Sequence, residues 1–150
     1  NINSTKLCND LIAKGVKPNK STKEIFPACI SEKYESDFIR GVFDGDGSIS
    51  YYYRVRTSDS SKRLAGKIRF IGGKELLNDI LIRLNKNVNQ NILNQKFQTH
   101  YGTYTFEVSS LQTIKEVITY MYSDANLFLE RKQSKCMDYI KAYKETDIRR

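Results

Sequence analysis

The chain opens with a polar segment in which Leu7, Leu11 and Ile12 fall on one helical face, with Ser4 or Thr5 placed to cap it and Gly15 to stop it. The stretch GVKPNKSTKEIFP that follows is a basic, proline-punctuated connector. Phe38, Ile39, Val42 and Phe43 then predict a second helix, capped by Ser36 and running up to Asp44 and Gly45. From Ser48 the period changes to two. Ile49, Tyr51, Tyr53 and Val55 share one face, while Ser48, Ser50, Tyr52, Arg54 and Arg56 share the other, which predicts a half-buried strand with a cationic outer face. After the turn-like TSDSSKR, the segment LAGKIRFIG alternates again, with Gly66, Ile68 and Phe70 on one side and Lys67, Arg69 and Ile71 on the other.

GGKELLNDILIRLNK carries Leu76, Leu77, Ile80, Leu81 and Leu84 at helical spacing. NQNILNQKFQTHYGTYTFEVSS reads as a hairpin turning near Tyr101 and Gly102, with Tyr104, Phe106 and Val108 inward and Thr103, Thr105 and Glu107 outward. Two helices close the chain, one on Leu111, Ile114, Val117, Ile118 and Met121, the other on Phe128, Leu129, Cys136, Met137, Ile140 and Tyr143. The order after the connector is αββαββα, an α+β class: a four-stranded antiparallel sheet with its helices gathered on one face. The other sheet face must meet water or a ligand. Residues 1–33 form an N-terminal helix and basic connector, and 34–150 the main domain.

Charge narrows the partner. Against 17 Asp+Glu stand 25 Lys+Arg, giving net +8 and a pI near 9.4. This favours a polyanion, nucleic acid ahead of an acidic membrane surface, although a solvated basic surface would carry the same charge. Cys8, Cys29 and Cys136 are far apart and form no disulfide framework or zinc cluster. His100, the one histidine, falls in the predicted turn, which argues against histidine-based nuclease chemistry. No apolar run approaches the ~20 residues of a membrane span, and NINSTKLCND has no signal-peptide core. The expectation is an intracellular protein without a membrane partner, in a bacterial or phage-infected cytoplasm or an organelle. The first residue is Asn, so the chain is expected to be a fragment or a trimmed form.

Candidate chemistry concentrates in FIRGVFDGDGSISYYYRVR, Phe38 to Arg56. Gly41 and Gly45 lie four apart on one helical face. Glycine inside a helix costs roughly 1 kcal/mol relative to alanine, and close approach of another backbone is the reason that fits Gly41. Gly47 reads as the turn into the strand. Asp44 and Asp46 stand at the C-terminal end of the helix, where the macrodipole disfavours a carboxylate. A backbone N–H would relieve Asp44; a divalent cation would relieve Asp46. Mg²⁺ suits such a place, because it binds through one or two carboxylates together with phosphate oxygens and waters. DGDG by itself is also an ordinary turn sequence. The neighbouring basic strand face is what turns it into a candidate site.

IRGVFDGDG, Ile39 to Gly47, resembles the signature motif of the LAGLIDADG homing endonucleases. KIRFIGGKELLNDIL and LFLERKQSK are likewise similar to that family's second strand leading into its middle helix and to its basic C-terminal helix. The resemblance implies a saddle-shaped sheet lying in the DNA major groove and a motif helix packed against that of a second motif. It implies Mg²⁺, or Mn²⁺, held by Asp46 with the Gly45 carbonyl in reach, Asp44 as a hydrogen-bonding residue, and Gly41, Gly45 and Asp44 at the helix pairing. Lys132 matches the active-site lysine, with Arg131 and Lys135 as neighbours, and Lys74 a further basic residue beside the site. Two departures stand out: Arg40 occupies a position that is small in the motif, and Gly72 stands where many members carry a polar side chain.

The activity so implied is a sequence-specific double-strand DNA endonuclease, of the kind that drives intron or intein mobility, acting on a long, partly palindromic site. Arg54, Arg56 and Arg69 can donate bidentately to guanine, while Ser48, Ser50, Tyr52, Lys67, Lys96, Gln98, Thr103 and Thr105 offer single contacts. One motif per chain calls for a homodimer or for a missing N-terminal half. The alternatives are a non-catalytic nucleic-acid binder of the same fold, either a transcriptional regulator or an intron maturase, and a basic domain for acidic proteins.

Overall fold

The computed structural model describes residues 4–14, 23–58 and 60–147. Gly15, most of the connector and Asp59 of the predicted turn lie outside them. Helix α1 spans Thr5–Ala13, and Ser4 caps it by accepting a hydrogen bond from the Leu7 amide at 3.2 Å. None of its residues is buried.

A 3-10 turn at Glu32–Tyr34 runs straight into α2, Glu35–Asp46. The helix therefore begins one residue ahead of the expected Ser36 cap, with no side-chain cap and with Glu35 and Asp37 complementing the dipole of its first turn. It ends at Gly47, whose amide bonds the Phe43 carbonyl at 2.9 Å. Gly47 is required by close approach: a Cβ there would strike the Phe43 ring and lie 2.8 Å from the Phe43 carbonyl oxygen and 3.0 Å from that of Arg69.

Strands β1 (Ser48–Val55) and β2 (Lys62–Gly72), helix α3 (Lys74–Lys86), strands β3 (Gln98–His100) and β4 (Thr103–Val108), and helices α4 (Leu111–Tyr122) and α5 (Glu130–Asp147) follow. From α2 onward the order is αββαββαα. The sheet is antiparallel throughout, in the order β1-β2-β4-β3. Its register pairs Ile49 with Ile68, Ile68 with Val108 and Phe70 with Phe106, so one face is apolar across three strands. The helices cover that face. Phe43, Ile39, Leu77, Ile80, Ile114, Ile118 and Tyr139 are fully buried over it, and the Phe70 and Phe106 rings stack at 5.1 Å. Each such side chain contributes about 1.5–3 kcal/mol by leaving water. The β3–β4 turn holds Tyr101 at φ 47° and Gly102 at φ 78°, the left-handed pair that a tight hairpin needs.

Two expected features differ. Residues 91–97 form no strand, because Ile92 is drawn into the core: its amide takes the Asn85 side-chain oxygen at 2.8 Å, and its carbonyl closes a turn with Gln95. Lys96 therefore sits in a loop. Tyr53 and Val55 were expected inward but are exposed, since the helix layer covers β1 only as far as Tyr51, whose ring meets Tyr139 at 5.7 Å.

Candidate active site and open sheet face

The C-terminal end of α2 is tied down by residues distant in sequence. Asp44 accepts from the Tyr122 hydroxyl at 2.5 Å and from the Leu129 amide at 2.9 Å, which joins α2 to the end of α4 and the start of α5. The Tyr122 hydroxyl is held neutral well above the usual tyrosine range, by burial first and by this bond to Asp44 second. One turn earlier, the buried Arg40 donates through Nε to the Leu127 carbonyl at 2.9 Å, through Nη1 to the Met121 carbonyl at 2.9 Å and through Nη2 to Asp37 at 2.6 Å. The bulky departure in the motif thus bonds within its own chain, capping the last turn of α4.

Lys132, expected beside a reacting phosphate, is buried. Its ammonium donates to the Phe43 carbonyl at 2.8 Å and to the Gly47 carbonyl, and lies 5.0 Å from the Phe43 ring centroid. A cation at this end of α2 offsets the negative pole of the helix and holds the backbone on both sides of Asp46. Burial, and next the Arg131 charge, lower the Lys132 pKa, while the Asp44 and Asp46 carboxylates oppose them. Burial also pushes the nearby Cys136 thiol up to about 12, so it remains a thiol. Arg131 and Lys135 are exposed on either side of Lys132.

Asp46 itself is exposed, and among the described residues its carboxylate has no hydrogen bond or ion pair. With Asp44 committed to two donors, Asp46 is the carboxylate left at the helix end for a cation. One carboxylate completed by phosphate oxygens and waters fits Mg²⁺ or Mn²⁺; no group of three or more acidic, cysteine or histidine residues among the described residues could hold an ion by itself. Gly41 and Gly45 are exposed, and among the described residues a Cβ built on either meets no atom of another element within 4 Å. This face of α2 is open to a second helix.

On the sheet face away from the helices, Ser48, Ser50, Tyr52 and Arg54 of β1 stand opposite Arg69, Lys67, Ala65 and Arg63 of β2. Beyond them, Glu107 pairs with Arg69, and Thr105 with Ile71 and Gln98. The Arg54 guanidinium lies 5.3 Å from the Tyr52 ring centroid and donates to its hydroxyl. Glu107 bridges Lys67, at 3.2 Å, and Arg69.

No family model matches the sequence, and no curated protein matches it by sequence. Solved structures do match by shape. The homing endonuclease I-TnaI aligns at TM-score 0.54 and 13% identity over 75% of this chain and 73% of that one. The LAGLIDADG homing endonuclease I-GzeII, solved with its DNA target, aligns at TM-score 0.58 and 19% identity over 76% of this chain and 36% of that one. I-CvuI, solved on a DNA target in the presence of magnesium with the DNA not cleaved, aligns at TM-score 0.52 and 13% identity over 75% and 67%. The fold is that of the LAGLIDADG homing endonucleases.

Within this LAGLIDADG fold, α2 carries IRGVFDGD with Gly47 just past its end, and the sheet face begins two residues after Asp46. The structure brings Ser48, Ser50, Tyr52, Arg54, Lys67, Arg69, Thr103, Thr105 and Gln98 to that one face. Arg56 lies just past β1 and Lys96 in the loop before β3. Lys74, at the start of α3, lies 5.9 Å from the ring of Tyr104, a residue of the helix-side register. The His100 side chain lies outside the described residues. Two face residues, Arg63 and Glu107, were not among the candidates. Starting the second strand at Lys62 rather than Leu64 would have found Arg63, and its period-two neighbours Lys67 and Arg69 were the available signal.

Proposed function

We propose that this chain is a divalent-metal-dependent, sequence-specific double-strand DNA endonuclease that works through two motif helices. The observation that carries the reading is Asp46: an exposed carboxylate with no hydrogen bond or ion pair among the described residues, at a helix end secured by Asp44, Lys132 and Arg40, at the border of a cationic sheet face. A divalent cation at Asp46 would polarise a phosphate oxygen and acidify a water for in-line attack. Asp46 supplies the anchoring carboxylate, with the Gly45 carbonyl beside it. Lys132 acts as a positioning residue, since its ammonium fixes the main chain from Phe43 to Gly47 and adds positive potential near the phosphate. Arg131 and Lys135 are the exposed cations available to touch it.

Gly41 and Gly45 would receive a second motif helix, from another copy of the chain or from a preceding half of a longer protein. The pairing would present two Asp46-type carboxylates, one for each strand. The sheet face would lie in the major groove, with Arg54 and Arg69 reading base edges and the serines and threonines bridging to bases or phosphates.

Incubation of a randomised duplex library with Mg²⁺, followed by sequencing of both bound and cut molecules, tests the reading. Cut ends at a fixed place within one recovered sequence are expected. Recovery of one sequence intact would make the chain a regulator or maturase-type binder, the reading that Gly72 favours by leaving the end of β2 without a polar side chain.

A further inference from the structure

An acidic side chain in the middle of a face that meets a polyanion needs a reason, and Glu107 is such a residue. It stands on β4 directly opposite Arg69, in the interior strand pair β2–β4. Its Oε1 accepts from Arg69 Nε at 2.6 Å and from Arg69 Nη2, and its two oxygens take Lys67 Nζ at 3.2 and 3.3 Å. The contact uses the Nε–Nη2 edge of the planar guanidinium. Among the described residues Arg69 Nη1 makes no hydrogen bond, so the Nη1–Nη2 edge, two parallel N–H donors, is the one left for a ligand. Those donors match the O6 and N7 acceptors of guanine in the major groove.

Resting on the DNA-binding reading above, we propose that Glu107 is a positioning residue for sequence recognition. It fixes Arg69 so that the Nη1–Nη2 edge addresses the guanine of one base pair. Its charge offsets one of the two cations beside it, which weakens the pull on a phosphate at the middle of the sheet and favours registers that place base edges there. Lys67, drawn to the same carboxylate, is held beside Arg69, with both cations half-exposed toward the open face.

Base preference at every position of a randomised duplex library, measured for wild type, Glu107→Met and Arg69→Lys, tests this. Wild type is expected to require guanine at one position. Both variants are expected to lose that preference at the same position, by roughly 5- to 150-fold, the range for one bidentate pair, while preferences elsewhere persist. Glu107→Met is also expected to bind random duplex more tightly, having shed a negative charge. Arg69→Lys keeps the ion pair but not the planar fork and so marks the position of the contact; Glu107→Thr, a residue suited to a strand but too short to reach Arg69, takes the place of Glu107→Met with the same expected loss if the latter folds poorly. An unchanged preference in Glu107→Met, a loss spread evenly over all positions, or a loss at a different position from that of Arg69→Lys overturns the proposal while leaving the endonuclease reading intact. Failure of the wild-type chain to retain any duplex overturns that reading as well.

Discussion

The Lys132 ammonium and the Gly47 carbonyl are hydrogen-bonded to each other across 85 residues of sequence, and the same ammonium holds Phe43. The loop between motif helix and first strand, which displays Asp46, is thereby fixed from α5. Lys132→Met should destabilise the chain by about 1–3 kcal/mol, because it takes the ammonium from the Gly47 carbonyl and leaves the Phe43 carbonyl with the Gly47 amide alone. Urea unfolding checks this; a variant as stable as wild type would mean that the ammonium is free to face a ligand.

Gly41 and Gly45 separate folding from assembly. Among the described residues nothing opposes a methyl group at either position. Gly41→Ala should therefore raise the melting temperature at concentrations where the chain is monomeric, by an amount corresponding to about 1 kcal/mol. The same change should weaken self-association and cleavage, because it keeps a second backbone at a distance. Sedimentation and cleavage assays on one preparation show whether the two effects have opposite signs.

The bond from Tyr122 to Asp44 is made to a charged acceptor in a half-buried setting. Tyr122→Phe is expected to cost about 1.5–3 kcal/mol and to loosen the junction of α2, α4 and α5. Amide hydrogen exchange at Leu129, whose N–H is the other donor to Asp44, should rise in parallel.

Glu107 gives a pH signature. Partial desolvation alone would raise its pKa, but the hydrogen bonds from Arg69 and then Lys67 outweigh it and hold the carboxyl below its usual value of 4.5. A carboxylate depressed in the folded state adds stability that is fully present above the unfolded pKa and lost as pH falls through the folded one. The stability difference between wild type and Glu107→Met should therefore shrink as pH drops from above 4.5 into that acid range. Parallel thermal melts across that window measure it.

Local pattern made much of this fold legible. The period-two stretch from Ser48 and its partner at Lys67 to Ile71 showed which face is cationic, and the spacing of Gly41 and Gly45 showed which face of α2 is open. The C-terminal dipole of the helix called for a backbone N–H at Asp44, and Leu129 provides one. What was hidden depends on contacts far apart in sequence. LERKQSK is legible as a basic helix, but the burial of its lysine shows only once the start of α5 meets the end of α2; the signal was present in Lys132 standing four residues before Cys136 and seven before Tyr139, both buried. Arg40 looked like an intruder because two of its three acceptors, the Met121 and Leu127 carbonyls, lie more than 80 residues away. Residues 91–97 misread as strand because the side chain of Asn85, not a neighbouring strand, satisfies the Ile92 amide.

Cleavage of a duplex carrying the selected sequence, with Mg²⁺ present, by wild type and Asp46→Asn side by side bears most directly on the proposed activity. Wild type should cut both strands, and Asp46→Asn should bind the same duplex and cut neither. Equal cutting by the two proteins, or tight selective binding by wild type with both strands left whole, would contradict it.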